Sequence, residues 1–264
     1  MFIISKVGRI IAIANQKGGV GKTTTAINLS ASLALSGEEI LLIDSDPQGN
    51  ATSGFGIERG GQKTLYSVYS NSISMEDAVL PTEITNLSIV ASSIDLLGVE
   101  IELIERERRE SVLKEKLSGI RERFRYIFID CPPSLGLLTL NALVAADSVL
   151  VPVQCEYYAL EGIGMLTRTL ELVRGAFNPS LEIEGVLLTM YDSRNALSSQ
   201  VASELRRHFG GKVYESVIPR NVTLAEAPSH GKPALLYDAR SKGAQGYLSL
   251  AKEILNEVCT RQRA

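Results

Sequence analysis

Ile10-Ile-Ala-Ile-Ala-Asn-Gln-Lys-Gly-Gly-Val-Gly-Lys-Thr-Thr-Thr25 is the stretch on which the fold of this chain turns. Arg9–Ala14 is an apolar run of the kind a buried strand needs. Lys22–Ser36 follows as a helix, with Ile27, Leu29, Leu33 and Leu35 set among polar positions. Between them lies a glycine-rich turn. A strand that feeds such a turn and then a helix aims consecutive backbone N–H groups, and a helix N-terminus, at an anion. Gly18, Gly19 and Gly21 allow backbone angles and a close approach that a Cβ would block. Lys22 adds a point charge for the β- and γ-phosphates of a nucleotide, and Thr23 offers a hydroxyl to Mg²⁺. Val20 and Thr24 complete the loop. The usual phosphate-loop pattern begins with a glycine where this chain has Gln16, and an extra lysine, Lys17, stands one residue further on. The expected ligand is ATP with Mg²⁺ as its metal, and Lys22 is a candidate catalytic group.

Working outward, short apolar runs alternate with longer amphipathic stretches. Glu39–Ile43, Asn86–Ala91, Tyr126–Asp130, Ser148–Val153, Ile183–Met190 and Lys212–Val217 read as strands. Ile94–Ile120, Tyr157–Phe177, Ala196–Phe209 and Gly243–Val258 read as helical, the first with a break near Glu105–Arg109. Continuous apolar strands between helices predict a mostly parallel, twisted sheet covered on both faces, an α/β architecture of the P-loop NTPase type. Residues 1–264 are expected to form one domain. Ala51–Ser74, rich in Gly and Ser, is the least regular stretch.

Two strand ends carry acids. Leu41-Leu-Ile-Asp-Ser-Asp-Pro-Gln-Gly-Asn50 puts Asp44 and Asp46 just past a strand, and Tyr126-Ile-Phe-Ile-Asp-Cys-Pro-Pro-Ser134 puts Asp130 at the end of another. Open parallel sheets bind ligands in the crevice at those ends. Asp44 is the candidate to orient or deprotonate an attacking water. Asp130 is the candidate metal carboxylate, holding Mg²⁺ through water. Asp46 serves either the metal's outer shell or the loop itself, where an Asp before Pro47 caps a turn.

Composition narrows the class further. Three cysteines (Cys131, Cys155 and Cys259) are too few and too odd for a disulfide framework. Cys131 reads as a packing residue, and His208 and His230 are too isolated for a metal site or a triad. No apolar run approaches a membrane span, and the apolar start Phe2–Ile4 is broken by Lys6 and Arg9, unlike a signal peptide. A cytoplasmic location is expected. Net charge is −3, but Thr189–Ala264 holds 11 Lys+Arg against 7 Asp+Glu, and the remainder holds 16 against 23. A mildly basic C-terminal third suits a local anion-binding face.

With these motifs in hand, the chain resembles the ParA/MinD branch of deviant Walker A ATPases, and within it the chromosomal ParA type, also called Soj. The similarity runs through Ala14–Thr25, Asp44–Gly54, Asp130–Asn141, Val151–Gly162 and Val217–Pro228. The resemblance implies an ATP-dependent homodimer with two nucleotides sandwiched at its interface. Lys17 matches the lysine that reaches the partner's phosphates, where cations must bridge two opposed anionic nucleotides. Pro219 and Asn221 match the block that packs on the adenine. The resemblance further implies non-specific DNA binding by the ATP dimer, release on hydrolysis stimulated by a ParB-type partner protein, and a nucleoid-associated location. Arg194 and Arg220 match positions implicated in DNA contact, with Lys242, Lys232 and Arg240 as weaker additions from the basic third.

The alternative on the same fold is a MinD-like membrane-cycling ATPase. The tail Lys252–Ala264 reads as a docked helix end, with Ile254, Leu255 and Val258 at core-like spacing, so no membrane partner is expected. An iron-protein reductase would need bridging cysteines in that family's surroundings. A plasmid partition protein with a DNA-reading N-terminal domain would need more chain before the loop. The loop alone does not exclude a metabolic ligase or kinase on the same fold, but the Val151–Gly162 block speaks against it.

Overall fold

The strand runs identified by their apolar continuity all pair into one sheet. The computed structural model describes residues 8–156 and 159–261. In chain order the strands are β1 (Arg9–Ile13), β2 (Ile40–Asp44), β3 (Leu80–Pro81), β4 (Leu87–Val90), β5 (Tyr126–Asp130), β6 (Ser148–Gln154), β7 (Glu182–Tyr191) and β8 (Val213–Pro219). Their spatial order is β3-β4-β2-β5-β1-β6-β7-β8. All pairs are parallel except β3 with β4. That antiparallel pair involves only Leu80 and Pro81, and a proline is tolerated there because β3 is an edge.

The helices are α1 (Lys22–Leu35), α2 (Asn50–Gly54), α3 (Leu65–Tyr69), α4 (Met75–Ala78), α5 (Leu96–Glu102), α6 (Val112–Leu117), α7 (Leu137–Ala145), α8 (Ala159–Ala176), α9 (Ala196–Phe209), α10 (Val222–Glu226), α11 (Ala234–Tyr237) and α12 (Lys242–Arg261). Successive residues of a strand point to opposite faces. Ile10, Ala12, Leu41 and Ile43 accordingly join a core with α5 to α9, while Ile11, Ile13, Ile40 and Leu42 join a second core under α1 and α12. Both faces are therefore dry, as a parallel sheet requires.

The differences from the sequence reading have local causes. Ile94–Ile120 is two helices, α5 and α6. Arg108, at a left-handed φ of 55°, and the 3₁₀ turn Arg109–Ser111 separate them near the expected break. Ala51–Ser74 contains α2 and α3, the latter capped by the Thr64 side chain, which accepts from Ser67 N. Helix α7 has no counterpart in the sequence reading. Its sequence, Leu-Leu-Thr-Leu-Asn-Ala-Leu-Val-Ala, is apolar nearly all round and mostly buried, so it shows no amphipathic period. Tyr247, Leu250 and Ile254 of α12 are buried in the second core and Leu255 packs against it, as a docked terminal helix would. The side chains of 257–264, including Val258 and Cys259, and residues 157–158 lie outside the described part. Among the described residues no helix is long and apolar enough to cross a membrane.

One buried amide closes α7. Asn178 is 3% exposed, and its Nδ2 donates to the carbonyls of Leu143 (3.0 Å), Val144 (3.3 Å) and Ala146 (2.7 Å) at that helix's C-terminal end. Carbonyls at a helix end lack intrahelical donors. Asn178→Ala is expected to cost about 1–3 kcal/mol by leaving them buried and unpaired. Urea unfolding should show a lower midpoint at unchanged slope; an unchanged midpoint would refute this account of the cap.

Candidate functional site

The glycine-rich turn is held largely by side chains that flank it or come from distant strands. Asn15, just past β1, is buried; its Nδ2 donates to Pro152 O (2.7 Å) and its Oδ1 accepts from Lys17 N (3.0 Å). Thr189 Oγ1 donates to Val20 O at 2.8 Å, and Lys22 Nζ donates back to Lys17 O at 3.1 Å. Gly19 and Gly21 have φ of +74° and +89°, which explains both glycines. Gly18 has no such angle, and a Cβ there would meet nothing within 4 Å. Gly21 is also the N-cap of α1 and makes no side-chain cap. The opening amides of an α-helix have no acceptor within the helix. Here Thr25 N reaches Gly21 O at 2.9 Å, and Lys22, Thr23 and Thr24 line a cleft of about 370 Å³ with Gly18, Gly19 and Asp46.

Beside this loop stand the two carboxylates. Parallel register pairs Asp44 of β2 with Asp130 of β5, and both are fully buried. Asp44 Oδ2 accepts from both N and Oγ1 of Thr52, each at 2.7 Å, while Oδ1 accepts only a long bond (3.3 Å) from Asp46 N. Burial raises the Asp44 carboxyl to about 6, against the pull of the Thr52 hydrogen bonds. Asp130 is also raised, first by burial and then by the charge of Asp44. The Thr23 hydroxyl is near enough to favour its charged form, yet neither Asp130 oxygen has a well-formed hydrogen bond. Two buried, unpaired carboxylate oxygens facing a threonine hydroxyl fit a hydrated divalent cation. Among the described residues no group of three or more His, Cys, Asp or Glu is arranged to hold a metal alone. Such an ion would therefore share its ligands with phosphates and water. Burial pulls the Lys22 ammonium below its ordinary value, and Asp130 opposes the pull.

Of the two jobs the sequence left open for Asp46, the loop role is visible. Its Oδ1 accepts from Gln48 N (3.0 Å) and its carbonyl from Gly49 N (2.9 Å), which builds the turn, while its side chain lines the cleft. Cys131 is 1% exposed, and burial raises its thiol far above the usual range, in keeping with a packing role.

A second cavity, about 200 Å³, adjoins the first through Gly21, Thr24 and Met190. Pro219, Arg220, Asn221 and Tyr247 line it. Asn221 is the N-cap of α10 with an extended backbone, and its buried Oδ1 lacks a partner, so this pocket offers an acceptor to a ligand's amine. Met190 sits at φ 49°, a strained angle for a side chain with a Cβ.

The basic candidates lie on the same rim. Arg194 follows β7 and Arg220 follows β8, and those strands are parallel neighbours. Lys242 opens α12 beside Gly243, whose added Cβ would come within 3.1 Å of Asn221 Oδ1. Arg194 is 89% exposed and is chelated by Asp192, through Nε at 3.0 Å and a second nitrogen at 2.9 Å. Arg220 reaches Met190 Sδ at 3.8 Å. Lys17 forms an ion pair with Glu156, both side chains being about a third exposed (34% and 38%).

Several residues that shape the site carried no sequence signal: Asn15, Thr52, Ser92, Thr189, Met190 and, for Lys17, Glu156. Each acts through a partner distant in the chain or, for Met190, through backbone geometry.

With this geometry in view, known proteins can be compared. A family model described as an AAA domain matches residues 8–183. The chain is 56% identical over 257 residues to the chromosome partitioning protein ParA of Caulobacter vibrioides, covering 96% of each chain. It is 55% identical over 248 residues to the sporulation initiation inhibitor protein Soj of Bacillus subtilis, covering 94% of this chain and 98% of that one. Among solved structures, it is similar to a cobyrinic acid a,c-diamide synthase from Mycobacterium smegmatis with bound ATP analog and magnesium. That match has a TM-score of 0.82 and 37% identity, covering 94% and 95% of the two chains. The cell division ATPase MinD of Pyrococcus furiosus matches with a TM-score of 0.78 and 28% identity, covering 94% and 99%.

The raised acid pair has a measurable cost. Asp44 keeps its proton in the folded chain up to about pH 6, while its ordinary value is 3.8. The folded state therefore binds more protons between those values, and stability falls as pH rises through that window, then levels off. Asp44→Asn should stabilise the nucleotide-free protein above about pH 6, by on the order of 2 kcal/mol. The gain should shrink towards pH 4. Urea unfolding at several pH values measures it; a gain that does not vary with pH would refute the assignment.

Proposed function

The chain belongs to the ParA/Soj family of chromosome-partitioning ATPases, and from that membership we propose that it is an ATP-driven DNA-partitioning switch built from a single domain spanning residues 1–264. The observation that carries the reading is the doubly lysine-bearing loop set against the buried Asp44–Asp130 pair. One face of that loop supplies amides and Lys22 to a triphosphate; the adjoining pocket, with Pro219 and Asn221, takes the adenine. An unpaired Asn221 Oδ1 suits the exocyclic amine of adenine. When bound, magnesium would supply positive charge that offsets the charge of the phosphates. Thr23 and Asp130 are the residues that would hold it, Asp130 through water.

In this reading Asp44 orients the attacking water and accepts its proton at an oxygen whose affinity, near pH 6, suits a base at neutral pH. Lys22 stabilises charge on the transferred group, and Lys17 leaves Glu156 to bridge to the nucleotide of a second copy. The ATP dimer then presents Arg194, Arg220 and Lys242 twice, which turns a modest basic rim into a usable surface. Phosphate contacts alone suffice for binding without sequence preference. Arg194 must exchange Asp192 for a DNA phosphate, and the two acceptors are chemically equivalent in charge. Hydrolysis, stimulated by a ParB-type partner, dissolves the dimer and releases the nucleoid.

Gel retention on unrelated DNA at about physiological salt tests the cycle. Binding is expected with ATP and not with ADP or without nucleotide, and Asp44→Ala should hold DNA longer by slowing turnover. No retention under any nucleotide would sink the DNA claim and favour the membrane-cycling reading, which sedimentation with liposomes then tests. Arg194→Glu should abolish ATP-dependent retention while ATP affinity stays within about twofold, because the residue lies outside the nucleotide clefts. Unchanged retention would remove Arg194 from the surface.

A further inference from the structure

Met190 stands where β7 departs from regular pairing. Leu188 pairs with Val217 and Tyr191 with Pro219, so Thr189 and Met190 of β7 oppose Ile218 of β8 alone. One extra residue on one strand is a bulge, and a bulge beside a site re-aims a side chain. Met190 takes the left-handed φ of 49° there, an angle that costs free energy in a residue with a Cβ. Its neighbours hold it in place. Thr189 Oγ1 donates to Val20 O at 2.8 Å on the loop side, and Tyr191 pairs with Pro219 on the other. The half-buried Met190 side chain is brought to the junction of the two cavities. Among the described residues only Gly21, Thr24 and Met190 line both, and of these only Met190 carries a long apolar side chain. Arg220 leans on that side chain, with Nη2 3.8 Å from Met190 Sδ.

We propose that Met190 is a positioning residue that links nucleotide occupancy to Arg220: its side chain is one wall of the site for the nucleotide's sugar and the seat of the Arg220 guanidinium. This rests on the reading in which ATP spans the two cavities and Arg220 contacts DNA. A nucleotide with its base in one cavity and its phosphates in the other must lay its sugar across the junction. Methionine is unbranched and adapts its shape to whatever it packs against. An occupied junction restricts that side chain, and with it the guanidinium that rests on it. An arginine already restricted loses less freedom when it meets a DNA phosphate, so it binds more tightly. The sugar is common to ATP and ADP, so this link adds to the ATP requirement set by dimerisation and does not replace it.

Fluorescence anisotropy on the full chain, with a labelled duplex of unrelated sequence and a saturating non-hydrolysable ATP analogue, tests this. Affinities are referred to the dimer concentration measured by sedimentation, so a change in assembly does not count as a change in DNA contact. Met190→Gly suits the left-handed angle, so it removes the side chain and spares the backbone. It is expected to weaken DNA binding about fivefold or more, and to add less than about twofold when Arg220 is already Ala, because both changes then remove one interaction. Met190→Leu keeps an apolar wall of similar volume and should bind DNA within about threefold of the natural protein. A Met190→Gly protein that binds DNA within twofold of the natural one overturns the proposal. So does a full additional loss in the Arg220→Ala background, because the effect would then not run through Arg220. A Met190→Leu protein as weak as Met190→Gly also overturns it, because bulk would not be what seats the arginine. Arg220→Ala alone separates the two levels. If it binds DNA as the natural protein does, the DNA role of Arg220 fails; if it is weak while Met190→Gly is not, only the link through Met190 fails.

Discussion

Asp44 and Asp130 are register partners on neighbouring parallel strands, so two acid groups sit about one strand spacing apart (~4.8 Å) inside an otherwise apolar sheet. Neither reaches solvent; burial raises the proton affinity of both, and the charge of Asp44 adds to the rise at Asp130. Such an arrangement is tolerable only if the surroundings supply donors and positive charge. Thr52 supplies donors to Asp44. Lys22, itself desolvated, supplies charge to Asp130. What remains uncompensated is the pair of bare oxygens on Asp130, a deficit that a cation would fill. The protein alone is thus electrostatically incomplete at the one place where its sheet, its loop and its first helix converge.

The sheet makes this convergence possible. Because β1, β2 and β5 run parallel and lie side by side, their C-terminal ends share a rim. The glycine-rich turn leaves from β1 and the two acids terminate β2 and β5. On the other side of β1, the rim continues through β6, β7 and β8, where Thr189 props the turn and Asn221 opens the neighbouring pocket. Strands buried on both faces cannot slide without exposing apolar side chains to water, so the register that places Asp44 opposite Asp130 is held by the whole core.

Much of this was legible in the sequence, for reasons that particular residues illustrate. Strand-forming runs such as Tyr126–Asp130 announce themselves because a doubly covered strand has no polar positions to interrupt it. Lys17, Lys22 and the glycines are local, contiguous and few in type, so a short window suffices. Asp44 and Asp130 follow from standing at strand ends. By contrast, α7 was hidden because burial on nearly all sides removes the period by which helices are read. Thr52 and Ser92 stand 40 residues apart and meet only after β2 and β4 pair. Asn15 finds the Pro152 carbonyl across 137 residues. Met190 depends on a backbone angle that its identity does not advertise. The reacting groups could be read in one dimension; the groups that orient them exist only in three.

The ion pair between Lys17 and Glu156 gives assembly a different character from simple attraction. Before any partner arrives, this lysine already has a carboxylate, so in the proposed cycle it meets a foreign phosphate by giving up a resident anion. The net gain is a difference between two similar contacts, and a pair this open to solvent is worth only about 0–1 kcal/mol to begin with. Dimer formation in the proposed cycle would then behave like ion exchange: one counterion displaces another, little net charge is neutralised, and added salt weakens the starting and finishing states together. In that proposed cycle Glu156 would be left as a bare negative charge, a built-in push towards dissociation once the γ-phosphate is gone.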